Sequence, residues 1–184
     1  MAFVLRCMAR HTAMVNKHQR NTVAHEFQLR ATLARKGHHF EDFEPGRAFE
    51  HHWGRTIRHS ESALFVSLTL DFNPMNFNRE YAAAHGLPDT PVSAMHVFAT
   101  VFGLSVEDLS ELGGAFLGVD NLVHETRVYP DDTLRARSTV VTRRDSGSNK
   151  ALGIVTWHTE GFNQRDELVV SFDRTNLVTR RNPL

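Results

Sequence analysis

The 184-residue chain holds a single cysteine, Cys7. It cannot form a disulfide within the chain, and a zinc site built on cysteine clusters is excluded, so the chain reads as intracellular. No apolar run is long enough to cross a bilayer. Net charge is absent too: 21 basic residues balance 21 acidic ones, and no overall field draws the chain to nucleic acid. Neither internal repeats nor low-complexity tracts occur. With 41% hydrophobic and 23% charged residues, the composition is that of a globular protein rather than a fibre or a disordered tract. This length most simply makes one domain that can bury its core unaided.

The overall neutrality hides an asymmetry. Residues 1–37 carry five Arg and two Lys against Glu26 alone, about +6, and contain no serine. Such a basic, acid-poor segment is expected to be either a transit-type leader or an N-terminal extension, for instance from an upstream start codon. The domain proper is expected over 38–184. The location that follows is cytoplasmic, or the mitochondrial matrix if the leader is a transit peptide.

From residue 38 the chain alternates turn signals and apolar patterns. Pro45-Gly46 is a turn, and residues 47–58 read as a strand. Ser60 is a plausible N-cap for a short helix over 61–70, and residues 74–85 read as a further helix stopped by Gly86. The stretch from Pro91 to Leu109 is apolar nearly all round, which predicts a helix buried on most of its circumference. After Gly113-Gly114 the period becomes two, with strands expected over 115–123, 133–144, 152–162 and 167–179. Their short turns imply an antiparallel meander.

At the junction of the two early helices, running into the second, lies Asp71-Phe-Asn-Pro-Met-Asn-Phe-Asn78, a carboxylate and three amides within eight residues. Alone, it is explained by an Asx-type turn ahead of a helix. Together with the order of the other segments it resembles the signature of the MaoC-like, (R)-specific enoyl-CoA hydratase family, Asp-x-Asn-Pro-x-His-x-Asp. His39-Phe-Glu-Asp-Phe-Glu-Pro-Gly46, Gly54-Arg-Thr-Ile57, Gly103-Leu-Ser-Val106, Tyr129-Pro-Asp-Asp-Thr-Leu134 and Gly153-Ile-Val-Thr156 are similar to the subgroup that includes mesaconyl-CoA and itaconyl-CoA hydratases.

The resemblance implies an α+β hotdog fold, an antiparallel sheet wrapped around a long central helix at about 91–104, and a homodimer. It implies an acyl-CoA hydratase/dehydratase acting on a short 2-enoyl thioester, with CoA as part of the substrate and no metal or redox cofactor. Hydration needs a base for the water, an acid for C2 and donors for the enolate-like oxygen. In the family's pattern Asp71 is the acidic position, Asn73 its neighbour, and Ser93-Ala94 the helix start whose N–H groups meet the oxygen. The family's proton-transferring histidine, however, is Asn76 here, and an amide does not exchange protons near neutral pH.

Three readings stay open. Asp71 acts alone as base and then acid while Asn76 holds the water; His85 or His96 substitutes for the missing imidazole; or the chain is a thioester-binding relative without hydration. His96 is counted with Asn73, Ser93 and Ala94 as a substrate-binding candidate, although a lone helical histidine is more often structural. A hotdog thioesterase is a further alternative. Arg135, Arg137 and Arg143 could meet CoA phosphates, yet a solvated strand face explains them as well. Phe98 and Phe102 read as core.

Overall fold

The computed structural model describes residues 36–182. The basic segment expected at residues 1–37 therefore lies, but for Lys36 and Gly37, outside the described residues. In chain order the elements are β1 (Ala48–Glu50), β2 (Arg55–Thr56), α1 (His59–Thr69), α2 (Arg79–Ala84), α3 (Ala94–Leu104), α4 (Val106–Leu109), β3 (Phe116–His124), β4 (Thr133–Asp145), β5 (Leu152–Phe162) and β6 (Leu168–Thr179), with short 3-10 turns at Phe40–Asp42 and Pro74–Asn76.

The strands form one antiparallel sheet in the order β1-β4-β5-β6-β3, with β2 also on β4. Helix α3 lies across it, the α+β hotdog arrangement. Alternation places Leu134, Ala136, Ser138 and Val140 of β4 inward. Ile57, Val97, Val101, Leu134, Val170 and Phe172 make one core cluster under α3. Phe43, Phe49, Leu109, Val140, Val155 and Trp157 make a second. Close helix–sheet approach depends on Gly161, where an added Cβ would come within 2.6 Å of Val101 Cγ2. Gly161→Ala is expected to cost about 1–3 kcal/mol of stability by overpacking, read as a fall in the urea midpoint at unchanged slope.

Four expectations need correction. The strand expected over 47–58 is two pieces, because His51 turns inward and hydrogen-bonds Asp108 and Ser138 at 2.6 and 2.9 Å. Five steps of chain from Glu50 to Arg55 then face three steps of β4, from Arg137 to Leu134. The N-cap of α1 is Arg58 rather than Ser60: Glu61 reaches back to accept from the Arg58 N–H at 3.0 Å, as in a capping box. The helix expected over 74–85 is a 3-10 turn followed by α2, restarted by Asn78, whose side chain accepts from Tyr81 N at 3.0 Å. Lastly, the central helix begins at Ala94, since Val92 N is taken by Val128 O at 2.8 Å. It is buried along Val97 and Val101 only; Met95 is 53% exposed.

The sheet arginines are mostly spoken for. Arg137 pairs with Glu160 and Arg143 with Glu44, each at 2.6 Å, and Arg135 pairs with Asp166. The solvated-face explanation therefore accounts for them without a CoA phosphate. Among the described residues no helix is long and apolar enough to cross a membrane.

Candidate active site

The loop after α1 is built by its own polar side chains. Leu70 closes the helix in the left-handed region at φ 54°, and Asp71 N still reaches Val66 O at 3.0 Å. Asp71 Oδ1 accepts from Asn73 N at 3.2 Å, and Asn73 Oδ1 accepts from Met75 N at 3.2 Å. Both are Asx turns. Pro74 opens the 3-10 turn without needing a donor. That turn carries Asn76 back over Asp71, and Asn76 Nδ2 donates to Asp71 Oδ2 at 2.9 Å.

A third partner comes from far along the chain. Ser93, the N-cap of α3 and 4% exposed, places its side chain near the Asp71 carboxylate, close enough to favour its charged form. Thus Asp71, Asn73, Asn76 and Ser93 form one cluster at the N-terminus of the central helix. Burial works to raise the Asp71 pKa, but the Asn73 N–H and the Ser93 and Asn76 side chains together hold it below the usual carboxylate range. Asp71 is therefore an anion at neutral pH. The N–H groups of Ala94 and Met95 precede His96, the first residue to donate within the helix, so they are free for an oxyanion.

Two cavities meet at this loop. One, of about 480 Å³, runs along the Ser62, Val66 and Leu70 face of α1, with Asp71 and Asn76 at one end and His59 at the other. The second, of about 520 Å³, takes Asn73 and Asn76 on one wall, Val92 and Ala94 at the helix start, and His124 to Val128 on the far wall. Asn76 lines both. Their mixture of apolar lining and a few convergent polar groups suits a small-molecule site.

His96 is not brought to this cluster. Its ring stacks on Phe65 at 4.7 Å and lines a separate cavity of about 710 Å³ with Trp53 and Arg55. His85 lies on Tyr81 with Nδ1 at 2.8 Å from the Tyr81 carbonyl. Sequence reasoning missed His124, which carries no motif and enters the site only through the pairing of β3 with β6. Another array, Asp108–His51–Ser138 at 2.6 and 2.9 Å, has the order of a nucleophilic triad. Ser138 is 0% exposed and bonded to Thr159 at 2.8 Å, so no acyl group reaches it and the array ties β1 to α4.

A family model described as mesaconyl-CoA hydratase matches residues 18–184. The chain is similar to the mesaconyl-CoA hydratase of Haloarcula hispanica, 39% identical over 155 residues, which are 84% of this chain and 43% of that protein. It is also similar to the beta-methylmalyl-CoA dehydratase of Chloroflexus aurantiacus, 35% identical over 80% of this chain and 42% of that protein. Among solved structures, a MaoC domain protein dehydratase from Chloroflexus aurantiacus superposes with a TM-score of 0.77 at 33% identity, over 83% of this chain and 43% of that one. A Mycobacterium tuberculosis protein described as a double hotdog fold gives 0.72 at 21% identity, over 80% and 46%, a likeness of fold alone. The chain thus spans less than half the length of these relatives.

Proposed function

The chain belongs to the mesaconyl-CoA hydratase family, and from that membership we propose that it adds water to, or removes it from, the double bond of a short 2-enoyl or mesaconyl-type CoA thioester. The observation that carries this reading is the joining of Asp71, Asn76 and Ser93 at the start of α3. In the simplest scheme, which needs nothing beyond the loop and the helix start, Asn76 holds the water. Asp71 takes its proton and returns it to C2, and the N–H groups at Ala94 hold the thioester oxygen as charge develops there. Asn73 keeps the loop folded against the substrate. Hydration changes no net oxidation state, so the scheme calls for no redox cofactor, and CoA arrives with the substrate.

The test is direct. Purified protein is mixed with crotonyl-, mesaconyl- and itaconyl-CoA, loss of the conjugated double bond is followed where one is present, and product mass is measured. A gain of one water without free thiol is expected. Release of CoA thiol would make the chain a thioesterase, and tight binding with no turnover would make it a non-catalytic acyl-CoA-binding subunit, the reading that Asn76 in place of histidine favours.

We also propose that the working unit is a homodimer, in which a second copy stands where the longer relatives carry their remaining length. The outer edge of β3 supports this. It is unpaired among the described strands and exposes Phe116 (53%), Leu117 (51%) and Val123 (45%). A row of exposed apolar side chains on an open edge is a pairing surface. Leu117→Lys with Val123→Lys is expected to convert the dimer to a monomer in light scattering; a wild-type chain that is already monomeric at assay concentration would end the proposal.

A further inference from the structure

The loop offers an anchored amide where an acid/base chemistry wants an imidazole, and most of the described histidines lie elsewhere: His39 caps the 3-10 turn at Phe40–Asp42. His59 faces Asp89 at 3.9 Å, and it sits at the opposite end of the 11-residue α1 from Asp71, roughly 16 Å away at 1.5 Å per residue. His85 and His96 are held on Tyr81 and Phe65. His38, His51, His52 and His158 pair with Asp108, Glu107 or Asp173. His124 has no such partner, and it lines the same cavity as Asn73, Asn76 and Ala94.

Asp71 also fixes which way the Asn76 amide faces. A carboxylate can only accept, so the group 2.9 Å from Asp71 Oδ2 is the NH2 of Asn76. The Asn76 carbonyl oxygen is left as an acceptor for a water hydrogen. We propose that His124, at the end of β3, is the proton-exchanging residue of this site, a role no motif of the loop assigns; this rests on the hydratase reading above and replaces its simplest scheme.

As the water oxygen bonds to C3, one O–H bond breaks toward the neutral imidazole of His124, while the other hydrogen stays on that oxygen, hydrogen-bonded to Asn76 Oδ1, and becomes the hydrogen of the new C3 hydroxyl. The C2=C3 π pair moves onto C2 and the thioester oxygen, which the N–H groups at the start of α3 hold. The imidazolium then gives the proton to C2. Water has been added, the imidazole is neutral again, and nothing is oxidised or reduced. Asp71 remains a carboxylate throughout and acts by orienting Asn76.

The surroundings suit a base. His124 is exposed at the end of β3, and the partial desolvation it meets against the cavity wall lowers its pKa from the ordinary value, so the ring is neutral near pH 7. Glu125 and Arg127 share its wall, while the loop contributes the amides of Asn73 and Asn76 and the helix start contributes Val92 and Ala94, none of which titrates.

In the test, His124→Gln and the double variant His124→Gln with Asn76→His are compared with wild type on whichever thioester is hydrated. His124→Gln is expected to lower kcat on the order of 10²–10⁴-fold with KM changed only a few-fold. The acid limb of kcat/KM, where rate is lost as pH falls and the imidazole charges, is expected to vanish. Asn76→His is expected to restore part of the rate in the same background, which separates lost chemistry from lost assembly. A His124→Gln enzyme with wild-type kcat, or one that is slower but keeps the acid limb, overturns the inference alone. A wild-type chain that hydrates none of the thioesters overturns it together with the hydratase reading.

Discussion

Asp71→Asn is expected to abolish measurable hydration, a loss on the order of 10³-fold or more in kcat, with the fold intact. The carboxylate is the point where the loop and the central helix meet: it accepts from Asn73 N and from Asn76 Nδ2, and the Ser93 side chain beside it favours its charge. An Asn side chain keeps the volume and one carbonyl oxygen, so the Asx turn survives. Its NH2, however, faces two donors in Ser93 and Asn76, and the Asn76 amide is no longer held in one orientation. Whether the carboxylate takes the proton itself or fixes the acceptor that holds the water, the site loses its ability to activate water. Wild-type activity carries a related pH signature. Because the folded Asp71 pKa is lowered, the stabilisation it gives the loop is fully present above the ordinary Asp pKa of about 3.9. It is lost only as pH falls through the lower folded value. A loss of rate on acidification that sets in above the ordinary Asp range therefore belongs to a group other than Asp71. Retained activity in Asp71→Asn, at unchanged melting temperature, would move the catalytic centre off this loop.

What the sequence could carry followed from whether the signal was local. Strands β4, β5 and β6 were legible because each alternates over most of its length, and a period-2 pattern needs no knowledge of neighbours. The loop was legible for the same reason: Asp71 and Asn73 make their turns with groups two residues away. The strand over 47–58 was misread because its interruption is set by Asp108, 57 residues on. The burial expected all round the central helix fails at Met95 and Gly103 because a helix lying on one sheet hides one side, and composition does not say how many sides are covered. His124 could not have been found, since its only link to Asn76 is a cavity that the register of β3 on β6 creates. A single feature beforehand could have raised it: a histidine closing a strand after the apolar pair Leu122-Val123, which reads equally well as a solvent-facing end.

Arg174→Ala is expected to cost about 3–5 kcal/mol of stability, while Arg174→Met costs far less. Arg174 is 2% exposed in β6, and no carboxylate among the described residues pairs with it. Its guanidinium donates instead to Asn176 Oδ1 at 3.0 Å, Ser105 Oγ at 3.0 Å and Ser110 Oγ at 2.6 Å, and it lies 4.1 Å from the Phe102 ring centroid. Ser105 and Ser110 follow α3 and α4, so a cation sits where the carbonyl ends of two helices converge, the favourable end of each dipole. Burial nevertheless brings the Arg174 pKa down to about 10. That shift corresponds to roughly 3 kcal/mol spent on keeping the charge inside, set against three hydrogen bonds worth about 1–2 kcal/mol each and the ring contact. The net contribution of the charge is accordingly small. Truncation to Ala is a different matter, because it empties the space between Phe102 and Trp157 and leaves Asn176, Ser105 and Ser110 without their donor. Methionine refills most of that volume and removes the charge that burial penalises, which in other buried ionic sites is close to neutral. Lysine keeps the charge but cannot form the fork, and belongs between the two. Urea unfolding of the three variants gives the order directly: Ala least stable, then Lys, then Met. A Met variant as unstable as Ala would mean that the hydrogen bonds, and not the packing of the guanidinium on Phe102, hold the end of the central helix to the sheet.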